Sequence, residues 1–135
     1  MPSFLLKTEP STYSWSDLVR EGRTTWDGIT NAAALIAIRQ MRRGDEAIIY
    51  HSGKDKAIVG IAKITKGAYQ DPKRDDPKLA VVDVAPVRAI DPPIPLAAIK
   101  AEKGLADFGL VRISRLSTMP VSDRHRKLLA GLGVR

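Results

Sequence analysis

The chain has no cysteine, which excludes disulfides, zinc ribbons, iron–sulfur clusters and thiol catalysis. Its only histidines, His51 and His125, lie far apart without carboxylates at ligand spacing, so neither a metal site nor a cofactor is expected. His51 and Ser52 are neighbours, but adjacent strand side chains point to opposite faces, so no nucleophile–base pair is announced. Phosphate-cradling glycine loops and the HExxH signature are missing as well. Catalysis is therefore not expected. No apolar run approaches the ~18–20 residues that span a bilayer. The opening stretch Met1–Lys7 lacks the basic flank and cleavage site of a signal peptide, so a cytoplasmic protein without membrane contact is expected. Aromatics are sparse: two Trp, three Tyr and two Phe.

What is present is an ordinary globular composition, 44% hydrophobic and 27% charged over 135 residues. A chain of this length buries roughly 70% of its unfolded surface, which suits a single domain over residues 1–135. The net charge is +7. Much of it falls late, where Arg112, Arg115, Arg124, Arg126, Lys127 and Arg135 face Asp123 alone. A basic surface attracts polyanions, which favours nucleic acid or an anionic small molecule. A merely solvated surface is the plainer alternative.

Patterning predicts a strand over Ser3–Glu9 that leaves into a turn at Pro10. A short helix through Trp15–Arg20 is capped by Ser14 or Ser16 and stopped by Gly22. The spacing of Ala32, Leu35, Ile36, Ile38 and Met41 predicts a helix over Ile29–Arg43 that Gly44 ends. Strands are expected at Glu46–His51 and Ala57–Ile64, joined as a hairpin, with Gly60 marking a bulge or a close backbone approach. A charged loop over Tyr69–Pro77 precedes a strand at Leu79–Arg88, which Asp91-Pro92-Pro93 breaks. Leu96–Lys103 reads as a helix, Val111–Arg115 as a last strand, and Ser122 caps a helix ending at Leu132. Strands joined by hairpins, with helices at the margins, argue for an α+β fold: a small, curled, mostly antiparallel sheet or open barrel.

Tyr13, Trp15, Trp26, Tyr50 and Tyr69 all lie near predicted element ends. An aromatic face beside an amide and a hydroxyl suits a planar heterocycle, with stacking from one and edge hydrogen bonds from the other. Eight short motifs then occur in a telling order: Lys7-Thr8-Glu9-Pro10, Trp26-Asp27-Gly28-Ile29 with Asn31, Gly44-Asp45, Tyr50-His51-Ser52, Val59-Gly60-Ile61, Tyr69-Gln70-Asp71, Val82-Asp83-Val84 and Arg115-Leu116-Ser117. Together they resemble the EVE domain, a PUA-like fold, from residue 3 to about 130. The resemblance implies a non-enzymatic reader of modified bases in DNA, notably modified cytosine, or in RNA.

Carried over residue by residue, the implied pocket has Trp26 as stacking wall and Asn31, Tyr50, His51 and Ser52 near its floor. Lys7, Thr8 and Glu9 come from the neighbouring strand end, and Asp71 from the facing loop. Arg115 and Ser117 belong to a closing motif. Structural alternatives stand beside these: Asp27 and Asn31 as helix caps, Glu9 paired with a cation, His51 as a core histidine with satisfied nitrogens. Thr30, Ala32-Ala33, Leu35-Ile36 and Leu79 depart from the family's pattern and remove aromatic, arginine and amide groups, so cytosine specificity does not follow from the resemblance. Two rival classes remain. One is a nucleoside-like small-molecule binder or hydrolase with His51 or Glu9 as acid/base. The other is a protein-interaction module that keeps the fold without the pocket.

Overall fold

The computed structural model describes residues 2–135. In chain order the elements are β1 (Ser3–Thr8), α1 (Trp15–Glu21), β2 (Thr24–Trp26), α2 (Ala32–Gln40), β3 (Glu46–His51), β4 (Ala57–Gln70) and β5 (Ala80–Pro95). They continue with α3 (Leu96–Ala101), a 3₁₀ turn (Lys103–Leu105), α4 (Gly109–Arg112), β6 (Thr118–Val121) and α5 (Asp123–Leu132). The strands form one mixed sheet in the order β2-β5-β4-β3-β1-β6. Only β1 and β3 run parallel; the other pairs are antiparallel. The sheet stays open, with β2 and β6 as its end strands.

Strand alternation divides the interior into two cores. On β1 and β3, Leu5, Ile48 and Tyr50 point to one face, where Ile99, Leu105, Phe108 and Leu129 of the later segments cover them. Phe4, Leu6, Ala47 and Ile49 point to the other, against Leu18 of α1, Leu35 and Ile38 of α2, and Trp26. Burying each large apolar side chain contributes about 1.5–3 kcal/mol. Both faces being covered accounts for the near-continuous apolar run of β3.

A half-buried ion pair ties α5 to the sheet. The Arg126 Nε donates to Glu46 Oε1 at 2.6 Å, its Nη1 to the Val134 carbonyl at 2.6 Å, and Ser3 Oγ donates to Glu46 Oε1 at 2.8 Å. Burial would raise the Glu46 carboxyl, but the hydrogen bonds from Arg126 and Ser3 outweigh it and hold the group below its ordinary value.

Several elements differ from the sequence expectation. Helix α2 starts at Ala32, capped by Asn31, and stops at Gln40 because Met41 turns extended and buries its side chain. Arg42 and Arg43 thus lie beyond the helix, in a turn where Asp45 Oδ2 accepts from the Arg42 N–H at 2.9 Å. Strand β5 continues through Asp91-Pro92-Pro93: Ile58 pairs with Ile94 and Gly60 with Ala89, so the prolines are bulged out of the ladder. The expected strand at Val111–Arg115 is instead the helical turn α4 followed by a loop. The strand is β6, whose Pro120 is tolerated on an end strand because no ladder hydrogen bond needs its N–H. Strand β2 was not expected.

Candidate functional site

Three local structures bring the β1–α1 connection opposite β2. The Glu9 carbonyl accepts from the N–H groups of Thr12 and Tyr13, both at 2.9 Å, closing a tight turn after β1. Ser14 then caps α1 in a reciprocal box: its hydroxyl accepts from Asp17 N–H while Asp17 Oδ2 accepts from Ser14 N–H. At the other end Gly22, at φ 76°, reverses the chain into β2. That conformation suits glycine alone at low cost.

Between these segments lies an open cleft of about 810 Å³, a size typical of ligand sites. Lys7 and Thr8 line it from the end of β1, and Thr12 and Tyr13 from the turn. Arg23, Thr24, Thr25 and Trp26 line it from β2 and its approach, followed by Asp27, Gly28 and Ile29. Asp83 of β5 and Lys73 of the β4–β5 loop complete the lining. Among the described residues β2 pairs with β5 alone, so its other edge is free to offer backbone donors and acceptors.

Two aromatics define the apolar wall. Trp26 is only 7% exposed and belongs to the core beneath the cleft, so its indole offers little ring surface. Tyr13 stands edge-on to it, with centroids 6.0 Å apart and planes at 87°. Its hydroxyl donates to Glu21 Oε1 at 2.8 Å, which holds the half-buried ring in place. Burial foremost, with the Glu21 carboxylate adding to it, raises the Tyr13 phenol above its ordinary value, so it stays neutral.

Cations gather here too. Arg23 and Lys73 are exposed at the cleft. The Lys7 ammonium donates to the Ser114 carbonyl at 3.0 Å and lies 5.9 Å from the Tyr50 ring centre. Burial lowers its pKa from the ordinary lysine value. The two arginines of α5 are otherwise engaged. Arg124 pairs with Asp107 at 2.8 Å and donates to the Gly104 carbonyl, while Arg126 holds Glu46. The His125 and Arg124 hydrogen bonds pull the Asp107 carboxyl down to about 2.

Of the residues singled out from the sequence, the structure brings Lys7, Thr8 and Trp26 together on the cleft. It does not bring the others there. Asn31 caps α2, its Oδ1 accepting from the Ala34 N–H at 3.1 Å. Tyr50 is buried in the opposite core, because alternation along β3 sends it with Ile48, away from Trp26. His51 is a structural residue: its Nε2 accepts from the Trp15 N–H at 2.9 Å, and its Nδ1 lies 3.3 Å from Asp55. An Nε2 that accepts places the ring proton on Nδ1, toward Asp55. Ser52 donates its N–H to the Thr8 carbonyl, extending the β1–β3 ladder. Glu9 accepts from the Ser11 N–H and hydroxyl and so shapes the turn. Asp71 is buried and accepts from the Lys73 N–H at 2.9 Å, organising the β4–β5 loop. The Ser117 carbonyl accepts from the Lys7 N–H, and Arg115 is exposed on the α4–β6 connection.

Thr12, Arg23, Thr24, Thr25 and Lys73 are cleft residues that the sequence reading passed over, and it named Tyr13 only as an aromatic near an element end and Asp83 only within Val82-Asp83-Val84. The signal for Asp83 was available: a carboxylate between Val82 and Val84 in an otherwise apolar strand. That for Arg23 and Lys73 was not, since their placement depends on chain reversals at Gly22 and Asp71.

Known proteins share this architecture. Human thymocyte nuclear protein 1 is 36% identical, the match covering 90% of this chain and 69% of the relative. A Rhodopseudomonas palustris protein solved by NMR, 41% identical, superposes with a TM-score of 0.92 over 98% of this chain and 93% of that one. The crystal structure of the human THYN1 protein, in complex with DNA containing 5-methylcytosine, is 31% identical with a TM-score of 0.91, covering 100% of this chain and 99% of that one. The EVE domain model matches residues 3–132. With the PUA-like sheet, its flanking helices and nearly the whole chain in register with these relatives, the protein belongs to the EVE domain family.

Proposed function

We propose that the protein is a non-enzymatic nucleic-acid-binding module that takes a modified base into the cleft between Tyr13 and the free edge of β2. The observation that carries this reading is the cleft itself: a rigidly held aromatic ring, an unpaired strand edge and exposed Arg23 and Lys73 on one opening of about 810 Å³. Tyr13 supplies the stacking surface, β2 the edge hydrogen bonds, and the two cations the phosphate contacts. The human relative's complex with 5-methylcytosine DNA supports the same use of the fold and favours DNA as the polymer. The basic partners of phosphate are then at the cleft rather than on α5, where Arg124 and Arg126 hold carboxylates.

Stacking contributes about 1–3 kcal/mol per base, and extruding a base from a duplex costs a few kcal/mol. The phosphate contacts must supply the balance, which makes affinity salt-dependent. The two candidate acid/base groups, His51 and Glu9, are committed to the Trp15 N–H and the Ser11 turn, outside the cleft lining; this supports binding over hydrolysis. The test is an anisotropy titration of a labelled oligonucleotide carrying one 5-methylcytosine. Tyr13→Ala weakens binding by about 5- to 150-fold, and Arg23→Glu with Lys73→Glu weakens it further at low salt. Binding indifferent to all three substitutions refutes the assignment, and turnover of the base would replace a reader with an enzyme.

A further inference from the structure

Within the cleft, one carboxylate is held on one side only. Asp83 lies on β5 opposite Thr25. Two hydroxyls donate to the same oxygen: Tyr69 Oη reaches Asp83 Oδ1 at 2.6 Å and Thr25 Oγ1 reaches it at 3.0 Å. Among the described residues no group donates to Oδ2. The clamp is itself braced, since the Lys66 ammonium sits 4.0 Å from the centre of the Tyr69 ring. Burial, then the hydrogen bond to Asp83, raises the Tyr69 phenol above its ordinary value, so the clamp remains a donor. Val82 and Val84 are fully buried on either side and fix the strand that carries the carboxylate.

A carboxylate accepts hydrogen bonds and does not donate them. Of the other cleft side chains, the exposed Asp27 also accepts without donating, but among the described residues no hydrogen bond fixes its carboxylate as the two hydroxyls fix Asp83. Threonine hydroxyls both donate and accept, and Arg23 and Lys73 suit phosphates, while the Lys7 ammonium is taken by the Ser114 carbonyl. Resting on the base-in-cleft reading above, we infer that Asp83 Oδ2 receives an exocyclic amino group of the bound base. The cleft therefore selects bases with an amino group on the pairing edge, as in cytosine and adenine, over keto bases such as thymine and uracil. A keto oxygen at that place would set two acceptors against each other and leave both unsatisfied, the arrangement that hydrogen-bonding sites reject most strongly.

Two single-stranded oligonucleotides test this, identical except for one position that carries either 5-methylcytosine or thymine. These bases share the ring and the methyl group and differ by amino against keto at C4 and by a bare N3 acceptor against an N3–H donor, so the two variants at the clamp decide whether the amino group is what is read. The wild-type protein is expected to prefer 5-methylcytosine by about tenfold. In Asp83→Asn, whose amide presents either a donor or an acceptor, the preference falls toward one. Tyr69→Phe, which lies outside the cleft lining but frees Oδ1, lowers the preference while leaving the acceptor in place. Melting temperatures accompany both variants, and Tyr69→Phe carries the test if Asp83→Asn fails to fold. Equal binding of the two oligonucleotides by wild type, with binding still lost in Tyr13→Ala, overturns the amino-group assignment and leaves the base-in-cleft reading standing. A preference that survives both variants overturns it likewise. Binding to neither oligonucleotide overturns both readings.

Discussion

Trp26→Ala removes an indole that touches both the cleft and the core beneath it, so one variant weighs packing against recognition. Only 7% of the residue is exposed, and it shares its cluster with Leu18, Leu35, Ile38 and Val82. Truncating such a tryptophan costs about 3–5 kcal/mol, and the lost edge-to-face contact with Tyr13 accounts for about 0.5–1.5 kcal/mol of pair energy. For a chain of this size each kcal/mol shifts the melting temperature by roughly 3–5 °C, so the variant should melt roughly 10–20 °C below wild type. Tyr13→Ala is the control, because it deletes the same aromatic pair and the Glu21 hydrogen bond from a half-buried site. Its stability cost is about 1–2 kcal/mol. Thermal melts of both variants, followed by oligonucleotide titration well below each transition, give two numbers per variant. The expected pattern is large stability loss and modest binding loss for Trp26→Ala, and the reverse for Tyr13→Ala. A Trp26→Ala protein that melts within a few degrees of wild type yet no longer binds would refute the reasoning, for the indole would then be recognition surface and not packing.

A Cβ on Gly60 would lie 2.5 Å from the Trp15 ring, so Gly60→Ala should destabilise by about 1–3 kcal/mol through overpacking, read from urea denaturation. Arg126→Ala strands the Glu46 carboxylate, of which 12% is exposed, and should cost near the low end of roughly 3–5 kcal/mol. Because the folded-state pKa of Glu46 is lowered from 4.5, its contribution is complete above that value and lost as pH falls through the lowered one. Melting scans in acid should therefore show a shallower stability loss in Arg126→Ala than in wild type. If Arg23 and Lys73 each neutralise one phosphate of duplex DNA, reversing both should flatten the log–log salt slope by about 1.8, measured between low and moderate salt. Cytosine and 5-methylcytosine should differ by less than about tenfold, since Thr30, Ala32 and Ala33 are exposed beside the cleft loop and supply little to grip a methyl group.

Local chemistry was readable from the residues. Ser14 and Gly22 bracket α1, Ser122 caps α5 through the His125 N–H, and Glu46–His51 forms the strand its residues predict. Gly60 sits at a register shift, one of the two alternatives read from it, and what closes on it is the Trp15 ring and not another backbone. What escaped depends on partners distant in sequence. Thr24–Trp26 is too short to show a period and exists as a strand because Val82–Val84 pairs with it. Val111–Arg115 has the composition of a strand, yet it lies in the α4 turn and the loop after it, while Thr118–Val121 takes the place beside β1. The candidate pocket failed where it followed sequence adjacency. Tyr50, His51 and Ser52 are consecutive, and the pleat sends Tyr50 to one core and His51 toward α1.

The pairing of β1 has a kinetic consequence. Ser3 lies beside Glu46 on one side and Val121 on the other, so this strand gains its two neighbours only from segments far along the chain. Closing such loops consumes chain entropy before any contact returns it, and domains dominated by distant pairings fold in milliseconds to seconds rather than microseconds. During synthesis, β3–β4–β5 can assemble as a meander while β1 waits for β3 and then for β6. Until Thr118–Val121 emerges from the ribosome, one edge of β1 is uncovered and Phe4, Leu5 and Leu6 lack part of their packing. A nascent chain is thus open to wrong strand pairing at β1 for as long as β6 is unmade, and the pairing of Thr118–Val121 with Ser3–Leu6 ends that exposure.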